Sequence, residues 1–435
     1  MTDLKKFVEK RFRRFGINKK REIVRLAYEI SKRDKISYKE ILAPFSNRSC
    51  TYAATKEKLL RQRFPFHLNL KNSSTVYLPK LQISPKNALR IKPARLYPKN
   101  IYLEESAHGG FLAKRLREVF PSAKFRRIKS LKHFMDKRGS IKFSIQDYNK
   151  RRDNFFVVKE RYDFFKRCPC TKRAFSCGYH IFNLGFGCIY ECTYCYLQEY
   201  TNCPGIVLPL NTEDFFKKFD SYKKPRMRIG TGEFTDSLAL DNITQYSLSL
   251  IEFFNKNTDT TFELKTKSDN ISNLLKAKHK GNVVISWSLN PEKIIRENEF
   301  YAASLNKRLD SALRCTEAGY RVGFHFDPII YYRNWVTDYQ NLVNRLFDKI
   351  PHKNIAWISL GTLRFNPHLK PIIENRFPDN KILDEELLIG FDNKLRYPEK
   401  LRFFIYQNML RWIRKRAKHT CVYLCMENKN ILNEG

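Results

Sequence analysis

The sequence predicts an α/β protein whose core is a partial barrel of six βα units. Short apolar runs alternate with amphipathic helical segments through the middle of the 435-residue chain, and such strict alternation is typical of a parallel sheet with crossover helices. The predicted strands cover residues 181–185, 227–230, 261–264, 283–287, 320–326 and 355–360. The predicted helices between them lie near residues 212–219, 243–255, 270–278, 306–317 and 336–350. Periodicity alone is compatible with either a barrel or a doubly wound sheet.

The placement of polar residues favours the barrel. Candidate functional side chains follow the carboxyl ends of the predicted strands, in the segments 188–195, 230–233, 265–267, 288–290 and 327–328 and at Arg364. The chemistry of a barrel gathers at this end of its strands, so convergence of these residues on one rim is the arrangement expected of an active site. Six units instead of eight leave the barrel open on one side, which suits a macromolecular substrate.

Three further regions accompany the barrel core, which we assign to residues 166–370. Residues 1–77 combine helical apolar patterns with many Lys and Arg residues, and they predict a basic helical region that is either a nucleic-acid-binding module or a cap with a solvated face. Residues 101–165 predict a small α/β lead-in, with strands at 101–104 and 155–158 and a helix at 110–120 between them. Residues 371–435 predict a C-terminal extension, in which a long basic helix at 397–418 precedes a last strand.

The charge balance predicts a polyanionic partner. Lys and Arg number 82 against 44 Asp and Glu, a formal net charge of +38, and a field of this sign raises the local concentration of nucleic acid. A solvated basic surface without a specific partner is the alternative. Hydrophobic residues at 42% and aromatic residues at 14% indicate a globular protein and argue against a disordered chain.

The N-terminal segment and the cysteine usage predict the compartment. The chain is charged from its first residues and lacks the apolar core of a signal peptide. No apolar run approaches the roughly 18–20 residues that a membrane span needs, so we expect no membrane association. Eleven cysteines in an unexported chain are typical of thiols and metal ligands and not of disulfides. We therefore expect a cytoplasmic protein, and the sequence carries no information on its oligomeric state.

Three cysteines on one short loop are the strongest chemical signal. Cys188, Cys192 and Cys195 have the spacing CxxxCxxC, which can bring three thiolates to one metal centre. Structural zinc and ordinary iron–sulfur clusters take four ligands, whereas a 4Fe–4S cluster held by three thiolates leaves one iron open for another ligand. A zinc site is the alternative, completed by one of the nearby residues Cys177, His180 or Cys203.

Further cysteines surround this loop. They are Cys168, Cys170, Cys177 and Cys203, and a second cluster or a zinc ion is conceivable there. Their spacing fits no known ligand pattern, so the sequence leaves a second metal site open.

The cysteine spacing resembles that of the radical S-adenosylmethionine superfamily, and other segments narrow the resemblance to the spore photoproduct lyase family. The similar segments lie between about residue 101 and the C-terminus, at 188–198, 235–236, 265–270, 286–290 and 318–324. The resemblance implies a 4Fe–4S cluster, S-adenosyl-L-methionine bound at its open iron, and a 5′-deoxyadenosyl radical as the reactive species. It also implies a reductant such as flavodoxin or ferredoxin.

The same resemblance implies roles for individual residues. The three loop cysteines would hold the cluster, and Tyr194 and Tyr196 would lie beside the cofactor as catalytic residues that relay a radical. Lys267 and Ser288 match residues that hydrogen-bond the cofactor. Thr235 replaces a serine that contacts the methionine moiety, a change that keeps the hydroxyl donor.

Glu233 marks the main departure from the family. The lyases return a hydrogen atom to their product from a cysteine thiol, and an ungapped alignment puts Glu233 at that position. No cysteine occurs between Cys203 and Cys315, and a carboxylate cannot donate a hydrogen atom as a thiol does. The run at 230–233 resembles the Gly-Gly-Glu element with which many radical S-adenosylmethionine enzymes bind the methionine amino group, through a charge-assisted hydrogen bond.

Three functions are compatible with these observations. The first is a radical S-adenosylmethionine enzyme acting on nucleic acid, with DNA favoured over RNA, in lesion repair that lacks the hydrogen-donor cysteine of the lyases. The second keeps the radical chemistry but applies it to RNA or to a protein side chain. The third is a basic nucleic-acid-binding protein with a structural metal site. Glu233, Lys267 and Ser288 argue against the third, since a structural metal needs no open cofactor pocket.

Overall fold

The structure, a computed structural model, describes residues 2–45, 50–66, 75–91, 96–139, 143–161, 165–170, 174, 177–428 and 431. The chain forms two compact units. The first comprises Met1–Leu89, Ile330–Tyr332 and Thr362–Ile405, and the second comprises Arg90–Ile329, Arg333–Gly361 and Tyr406–Gly435. The second unit contains all the residues that we predict to bind the cluster or its cofactor.

The secondary structure of the described residues consists of α-helices and mostly short strands. The helices are α1 (Thr2–Arg11), α2 (Ile17–Asp34), α3 (Tyr38–Leu42), α4 (Tyr52–Arg63), α5 (Phe111–Val119), α6 (Leu131–Lys137), α7 (Ile145–Asn149), α8 (Leu197–Tyr200), α9 (Thr212–Tyr222), α10 (Asp241–Thr244), α11 (Tyr246–Asn255), α12 (Glu292–Asn298), α13 (Leu305–Glu317), α14 (Trp335–Lys349), α15 (Leu369–Arg376) and α16 (Glu399–Arg416). The strands are β1 (Asn100–Glu104), β2 (Lys124–Ile128), β3 (Asn154–Val158), β4 (Phe165–Arg167), β5 (His180–Phe182), β6 (Glu191–Cys192), β7 (Ile206–Pro209), β8 (Arg228–Thr231), β9 (Thr261–Thr266), β10 (Val283–Ser288), β11 (Glu299–Phe300), β12 (Arg321–Ile329), β13 (Ile355–Thr362), β14 (Arg364–Phe365), β15 (Leu388–Ile389), β16 (Leu395–Arg396) and β17 (Val422–Leu424). None of the helices in the described part of the chain has both the length and the apolar character needed to cross a bilayer.

An eight-stranded sheet forms the core of the second unit. Its strands lie in the order β17-β13-β12-β10-β9-β8-β5-β4. The inner strands, from β5 to β13, are those predicted from the sequence, and the successive pairs from β5 to β12 are parallel. At the edges, β17 adds in parallel beside β13 and β4 adds in antiparallel beside β5. The predicted α/β class with a six-stranded partial barrel is confirmed.

The inner strands and the crossover helices bury each other. β10 and β13 are buried along their whole length, as expected of parallel strands covered on both faces. α14 shows the matching helical pattern, with buried residues on one face at helical spacing: Trp335, Tyr339, Leu342, Val343 and Leu346. The predicted helix at 243–255 is present but divided into α10 and α11, because Gln245 between them has a positive φ of 54°.

The predicted helix at 270–278 is wrong, since this segment forms turns. The side chain of Asn270 donates to the carbonyl oxygen of Leu238 at 3.0 Å, and that of Asn273 donates to the carbonyl oxygen of Asp241 at 2.8 Å. Both bonds reach residues 32 positions earlier in the chain, so the segment is fixed by contacts with another loop and not by a helical ladder of its own. The segment therefore serves to hold the loop that follows β8.

A four-stranded parallel sheet precedes the barrel in the second unit. Its order is β2-β1-β3-β7, and all its pairs are parallel. Its core is formed by buried apolar side chains that include Ile101, Leu103, Phe155, Val157, Ile206 and Leu208. We predicted β1 and β3 but not β2 or β7. Because β7 follows the cysteine loop, that loop runs between the two sheets, from β5 of the barrel to β7 of the smaller sheet.

A buried ion network organises the first unit. Glu29 of α2 accepts hydrogen bonds from Lys370 at 2.7 Å and from Arg63 at 2.8 Å, and Arg25 donates to both carboxylate oxygens of Glu374 at 2.7 and 2.9 Å. All five side chains are buried, and buried charges are tolerated only when they are paired. The N-terminal helices α2 and α4 are thereby joined to α15.

A second buried network crosses the interior of the barrel. Glu263 of β9 is hydrogen-bonded to His325 of β12 at 2.7 Å and to Arg228 of β8 at 3.1 Å. Arg228 also donates to the hydroxyl of Tyr423 in β17 at 2.9 Å, and its guanidinium carbon lies 3.8 Å from the ring centroid of Trp357. Burial lowers the pKa of His325 to about 4, and the neighbouring Glu263 offsets only part of that effect. His325 is therefore neutral at physiological pH.

The neutral state of His325 makes the fold sensitive to acid. The pKa of the histidine is about 4 in the fold against 6.5 for an unperturbed side chain. Below pH 6.5 the unfolded chain therefore binds a proton that the folded chain does not, and at pH 5 this linkage amounts to about 2 kcal/mol of lost stability. We predict that His325→Gln removes this part of the stability loss between pH 7 and pH 5, measured by urea unfolding at both pH values.

The exposed His352 provides the matched control for this prediction. His352→Gln should leave the difference in unfolding free energy between pH 7 and pH 5 unchanged. An equal acid-induced loss of stability in His325→Gln and in the unsubstituted protein would contradict the assignment.

Candidate active site

The cysteine loop leaves β5 through two glycines with positive φ. Gly185 has φ 92° and Gly187 has φ 89°. A Cβ atom at Gly185 would lie 2.4 Å from the carbonyl oxygen of Val207 in β7, so only glycine fits at this close approach. The N–H of Gly187 donates to the carbonyl oxygen of Phe234 at 2.9 Å. The glycines thus bend the loop between the two sheets and hold it near the end of β8.

Arg151 fixes the backbone of the loop from the opposite side. Its fully buried guanidinium donates to the carbonyl oxygen of Cys188 at 3.1 Å, to that of Tyr190 at 2.7 Å and to the carboxylate of Glu191 at 2.5 Å. Charge-assisted hydrogen bonds of this kind are stronger than neutral ones. Three anchors within four consecutive residues therefore set the shape of the loop.

The three loop thiols lie close enough to interact electrostatically. Cys188, Cys192 and Cys195 interact with one another, and burial raises the pKa of each thiol. Two of the sulfurs accept backbone N–H groups, Cys188 from Tyr190 at 3.5 Å and Cys195 from Leu197. Among the described residues, no three His, Cys, Asp or Glu side chains already stand in position to hold a single metal ion.

Gln198 and a short strand pair complete the support of the loop. The side-chain amide of Gln198 donates to the carbonyl oxygens of Cys192, Thr193 and Cys195 at 3.3, 2.8 and 3.0 Å. β6 pairs in antiparallel with β11, which places Cys192 opposite Glu299. The loop backbone is thereby satisfied by hydrogen bonds while its sulfurs remain available for a metal centre.

Glu299 is the centre of a buried network behind the loop. Its carboxylate accepts hydrogen bonds from the hydroxyl of Tyr194 and from Asn290 at 2.9 Å, and it forms an ion pair with Arg308 at 2.6 Å. Burial alone would raise the pKa of Glu299, but Arg308 and Lys267 lower it to about 2. The carboxylate is therefore charged, and the hydroxyl of Tyr194 is engaged with it.

The Lys267 ammonium faces the cysteine loop. Its Nζ lies 6.0 Å from the ring centroid of Tyr194. Burial alone would lower the pKa of Lys267, but attraction to Glu299 and Cys192 raises it, so the group is a cation at neutral pH. A cation beside a thiol favours the thiolate, which is the form that binds metals.

Asp236 sets the backbone that carries Lys267. One carboxylate oxygen accepts from the N–H of Lys267 at 2.7 Å. The other accepts from the hydroxyl of Thr266 at 2.6 Å and from the N–H groups of Leu238 and Ala239 at 3.1 and 3.0 Å. These bonds join the loop after β8 to the end of β9, as expected of neighbouring parallel strands whose carboxyl ends form one rim.

Glu233 and Tyr196 lie together just after the end of β8. The carboxylate of Glu233 forms an ion pair with Lys166 of β4 at 3.0 Å. The hydroxyl of Tyr196 donates to the backbone oxygen of Glu233, and 38% of the tyrosine is exposed. Thr235 is half-buried in the following turn, and Ser288 is buried at the end of β10.

The residues predicted to act in the site thus lie in two groups. The loop cysteines, Tyr194 and Lys267 form one group, and Tyr196 with Glu233 forms the other. The sequence patterns did not predict the side chains that hold these residues in place, which are the half-buried Asp236 and the buried Arg151, Gln198, Glu299 and Arg308. Asp236 lies within a segment similar to the lyases. The charged residues 151 and 299 stand in stretches that read like ordinary solvated surface.

The donor set fits a 4Fe–4S cluster better than the zinc alternative. The loop offers three thiols, and zinc in a structural site needs a fourth ligand. Cys203, one candidate for that ligand, packs with Phe156, Val158 and Val207 in an apolar cluster. Backbone N–H donors to two of the sulfurs and the nearby Lys267 compensate the negative charge of a thiolate-bound cluster.

Comparison with known proteins identifies relatives along most of the chain. The family model described as spore photoproduct lyase matches residues 96–398. The spore photoproduct lyase of Clostridium acetobutylicum is 30% identical over 206 residues, which is 46% of this chain and 61% of that relative. The spore photoproduct lyase of Bacillus subtilis is 26% identical over 298 residues, which is 66% of this chain and 85% of that relative.

Solved structures agree with this comparison. Spore photoproduct lyase complexed with dinucleoside spore photoproduct has a TM-score of 0.63 and 25% identity, covering 76% of this chain and 99% of that one. A variant with bound S-adenosylmethionine and dinucleoside spore photoproduct has a TM-score of 0.63 and 24% identity, covering 76% of this chain and 100% of that one. These similarities support the shared fold.

The open barrel, with a three-cysteine loop after its first strand, defines the radical S-adenosylmethionine class of enzymes, which use a 4Fe–4S cluster. The family model extends over more than half of the chain. The chain therefore belongs to the spore photoproduct lyase family, and the predicted resemblance is confirmed.

Arg151 should be required for metal loading of the loop. We predict that Arg151→Met lowers the iron and sulfide content after anaerobic reconstitution several-fold, because the loop carbonyl oxygens and the Glu191 carboxylate lose a buried cation, at a cost of about 3–5 kcal/mol. The iron content per chain and the melting temperature before reconstitution measure the effect. Arg152→Met, at a neighbouring arginine that stacks on Tyr301, is the control. Equal iron contents in the two variants would contradict the role of Arg151.

Glu299 should contribute more to stability than an exposed glutamate nearby. We predict that Glu299→Gln destabilises the protein by about 3 kcal/mol, because Arg308 and Lys267 lose the anion that balances them. Glu297→Gln, two residues earlier at a side chain that is 41% exposed, should change stability by less than about 0.5 kcal/mol. Urea unfolding of both variants makes the comparison, and equal small effects would show that the buried carboxylate does not hold the loop.

Proposed function

We propose that this chain is a radical S-adenosylmethionine enzyme that repairs a lesion in DNA. In this proposal Cys188, Cys192 and Cys195 bind a 4Fe–4S cluster, and S-adenosylmethionine binds at the iron that no cysteine occupies. When bound, the two cofactors supply a radical that abstracts hydrogen from the substrate. The observation that carries the proposal is the presence of three thiols on one loop, two of them within electrostatic reach of the Lys267 ammonium, in a chain of the spore photoproduct lyase family.

Glu233 is the proposed ligand of the methionine amino group. Its carboxylate is 10% exposed, whereas its partner Lys166 is 39% exposed, so the lysine can move into solvent while the carboxylate stays in place. An incoming ammonium then replaces Lys166 without leaving a buried charge unpaired. Ser288 and Thr235, on the same rim, are the proposed hydroxyl donors to the cofactor.

Tyr196 is the proposed relay for the hydrogen atom. Glu233 stands where the lyases of the family have a thiol donor, so another group has to carry this step. The hydroxyl of Tyr194 is engaged with the buried Glu299, whereas Tyr196 is partly exposed and its hydroxyl bonds to the backbone of Glu233. Of the two tyrosines, Tyr196 is therefore the better placed to meet a substrate.

DNA is the proposed substrate, ahead of RNA. The two solved structures described above contain a dinucleoside spore photoproduct, and the net charge of +38 favours a polyanion. The opening of a six-stranded barrel suits a substrate of this size. We further propose that a flavodoxin or ferredoxin delivers the electron and that the enzyme works in the cytoplasm.

The first test is an anaerobic assay of the reconstituted protein with dithionite and S-adenosylmethionine. We expect 5′-deoxyadenosine from the unsubstituted protein and none from Cys192→Ala. Adding dinucleoside spore photoproduct or ultraviolet-irradiated DNA should then yield repaired thymine. Cofactor cleavage without repair, but with turnover of RNA or of a protein substrate, would overturn the assignment of the substrate. A protein that refuses iron would overturn the radical chemistry.

Tyr196 has a matched control in Tyr200, an exposed tyrosine that follows it on α8. We predict that Tyr196→Phe lowers the yield of repaired product at least about tenfold per 5′-deoxyadenosine formed, a loss of about 1.4 kcal/mol in the relay step. Tyr200→Phe should keep the yield of the unsubstituted protein. Equal yields in the two variants would exclude Tyr196 as the relay.

A further inference from the structure

A cysteine directly follows each of the two edge strands of the eight-stranded sheet. β4 and β17 are its outermost strands. Cys168 follows β4 directly, with Cys170 two residues later, and Cys425 follows β17 directly. Cys177 lies shortly before β5, the neighbour of β4. Within the described residues no hydrogen-bonded ladder joins β4 to β17, so the barrel is open between them.

Side-chain contacts bring the two edges together across the barrel. The N–H of Cys168 donates to the carbonyl oxygen of Tyr179 at 2.9 Å. The rings of Tyr179 and Tyr423 both pack against Arg228, each with its centroid 5.1 Å from the guanidinium carbon. Tyr423 lies in β17, two residues before Cys425. The backbone around Cys168 is thus linked through one arginine to the strand that ends at Cys425.

The thiol of Cys168 lies near the other three thiols. The thiol of Cys168 is hydrogen-bonded to that of Cys170 and interacts electrostatically with those of Cys425 and Cys177. None of the four forms a disulfide. Cys203, which the sequence analysis grouped with three of them, instead packs in the core of the smaller sheet. The fourth member of the group is therefore Cys425, which is distant in sequence and close in space.

We propose that Cys168, Cys170, Cys177 and Cys425 bind one zinc ion that joins the two edges of the open barrel. Four thiolates form the closed tetrahedral donor set of structural zinc. Zinc–sulfur bonds of about 2.3 Å place neighbouring sulfurs about 3.8 Å apart, which matches a pair of thiols that already hydrogen-bond to each other. A 4Fe–4S cluster attaches each thiolate to a different iron and does not suit such a close pair.

The site assembles as the metal binds. The described residues do not already present three ligands in the geometry of a single ion. Rotation of a cysteine between staggered χ1 rotamers moves its sulfur by about 3 Å. Cys177 is exposed and is followed by Gly178 with φ 72°, so this ligand is free to turn inward. Coupling of metal binding to local ordering is usual for zinc sites.

Zinc at this position also anchors the strand that carries Lys166. That lysine lies two residues before Cys168 and pairs with Glu233. The inference about zinc does not depend on the proposed radical chemistry, because none of its four ligands belongs to the cysteine loop. Cluster and zinc are separate centres with separate ligands.

The test uses the full chain with Cys188, Cys192 and Cys195 replaced by Ala, so that the loop cannot bind metal. This protein is incubated with equimolar zinc, desalted and analysed for metal by mass spectrometry and for ligands by X-ray absorption. We expect about one zinc ion per chain with four sulfur neighbours near 2.3 Å.

Further substitutions in that background assign the ligands. Cys168→Ser with Cys170→Ser, and separately Cys425→Ser, should lose the zinc. Cys177→Ser, at an exposed position that does not support the core, should weaken zinc binding at least about tenfold in competition with a chromogenic chelator. Cys421→Ser is the matched control, because Cys421 is exposed and lies four residues before Cys425, and it should retain full zinc.

Three results would overturn the proposal. The first is a chain that takes up no zinc, and the second is zinc that persists in both Cys177→Ser and the double variant. The third is a brown protein that binds iron and sulfide at these cysteines when the three loop cysteines have been replaced. Failure of the radical assay described above would leave the zinc measurement unaffected, so the two proposals fail separately.

Discussion

The ion pair between Glu299 and Arg308 is the contact on which the candidate site depends. It is fully buried, and it balances a second cation, Lys267, through the same carboxylate. Removal of one partner from such a pair costs far more than the pair contributes, because a buried charge is left behind. The hydroxyl of Tyr194 bonds to that carboxylate as well. A single anion therefore bonds to a loop tyrosine and to a barrel helix, and it attracts the Lys267 ammonium as well.

Arg151 performs the complementary task from the smaller sheet. Its guanidinium binds carbonyl oxygens and a carboxylate of the cysteine loop, while Glu299 approaches from the barrel. The glycines at 185 and 187 allow the loop to approach the backbone around β7 closely. The contacts of Arg151 and Glu299 leave the loop backbone little freedom to rearrange, which is part of the preorganisation that a functional site needs.

Much of the fold was predictable because the barrel strands are locally encoded. A run such as Val283–Ser288, buried at every position, is apolar enough to be recognised without a partner. β2 escaped prediction because it is a basic, largely exposed edge strand, Lys124–Ile128. The segment at 270–278 carried a helical pattern, but the bonds from its asparagine side chains to a neighbouring loop decided its conformation. Local patterns do not report such long-range contacts.

The candidate site, like the fold, was predictable from the sequence only in part. The cysteine spacing was visible because its ligands are adjacent in sequence, whereas the supporting charges come from distant segments and look like surface residues. Cys425 illustrates the limit most clearly. Its spacing from the other cysteines suggests nothing, and only the order of strands in the sheet places it at the same opening.

The cysteine loop is far in sequence from the charged residues that support it, and this distance affects when the loop can fold during translation. Tyr194 and Glu299 are 105 positions apart, and Arg308 follows still later. While the ribosome is synthesising the residues between them, the cysteine loop has left the exit tunnel without the charges that shape it. The loop therefore reaches its final conformation only after the second half of the barrel has been translated. Stable metal binding by the loop has to wait until residue 308 of the 435 has been translated, and until then the three cysteines are open to oxygen and to stray metals.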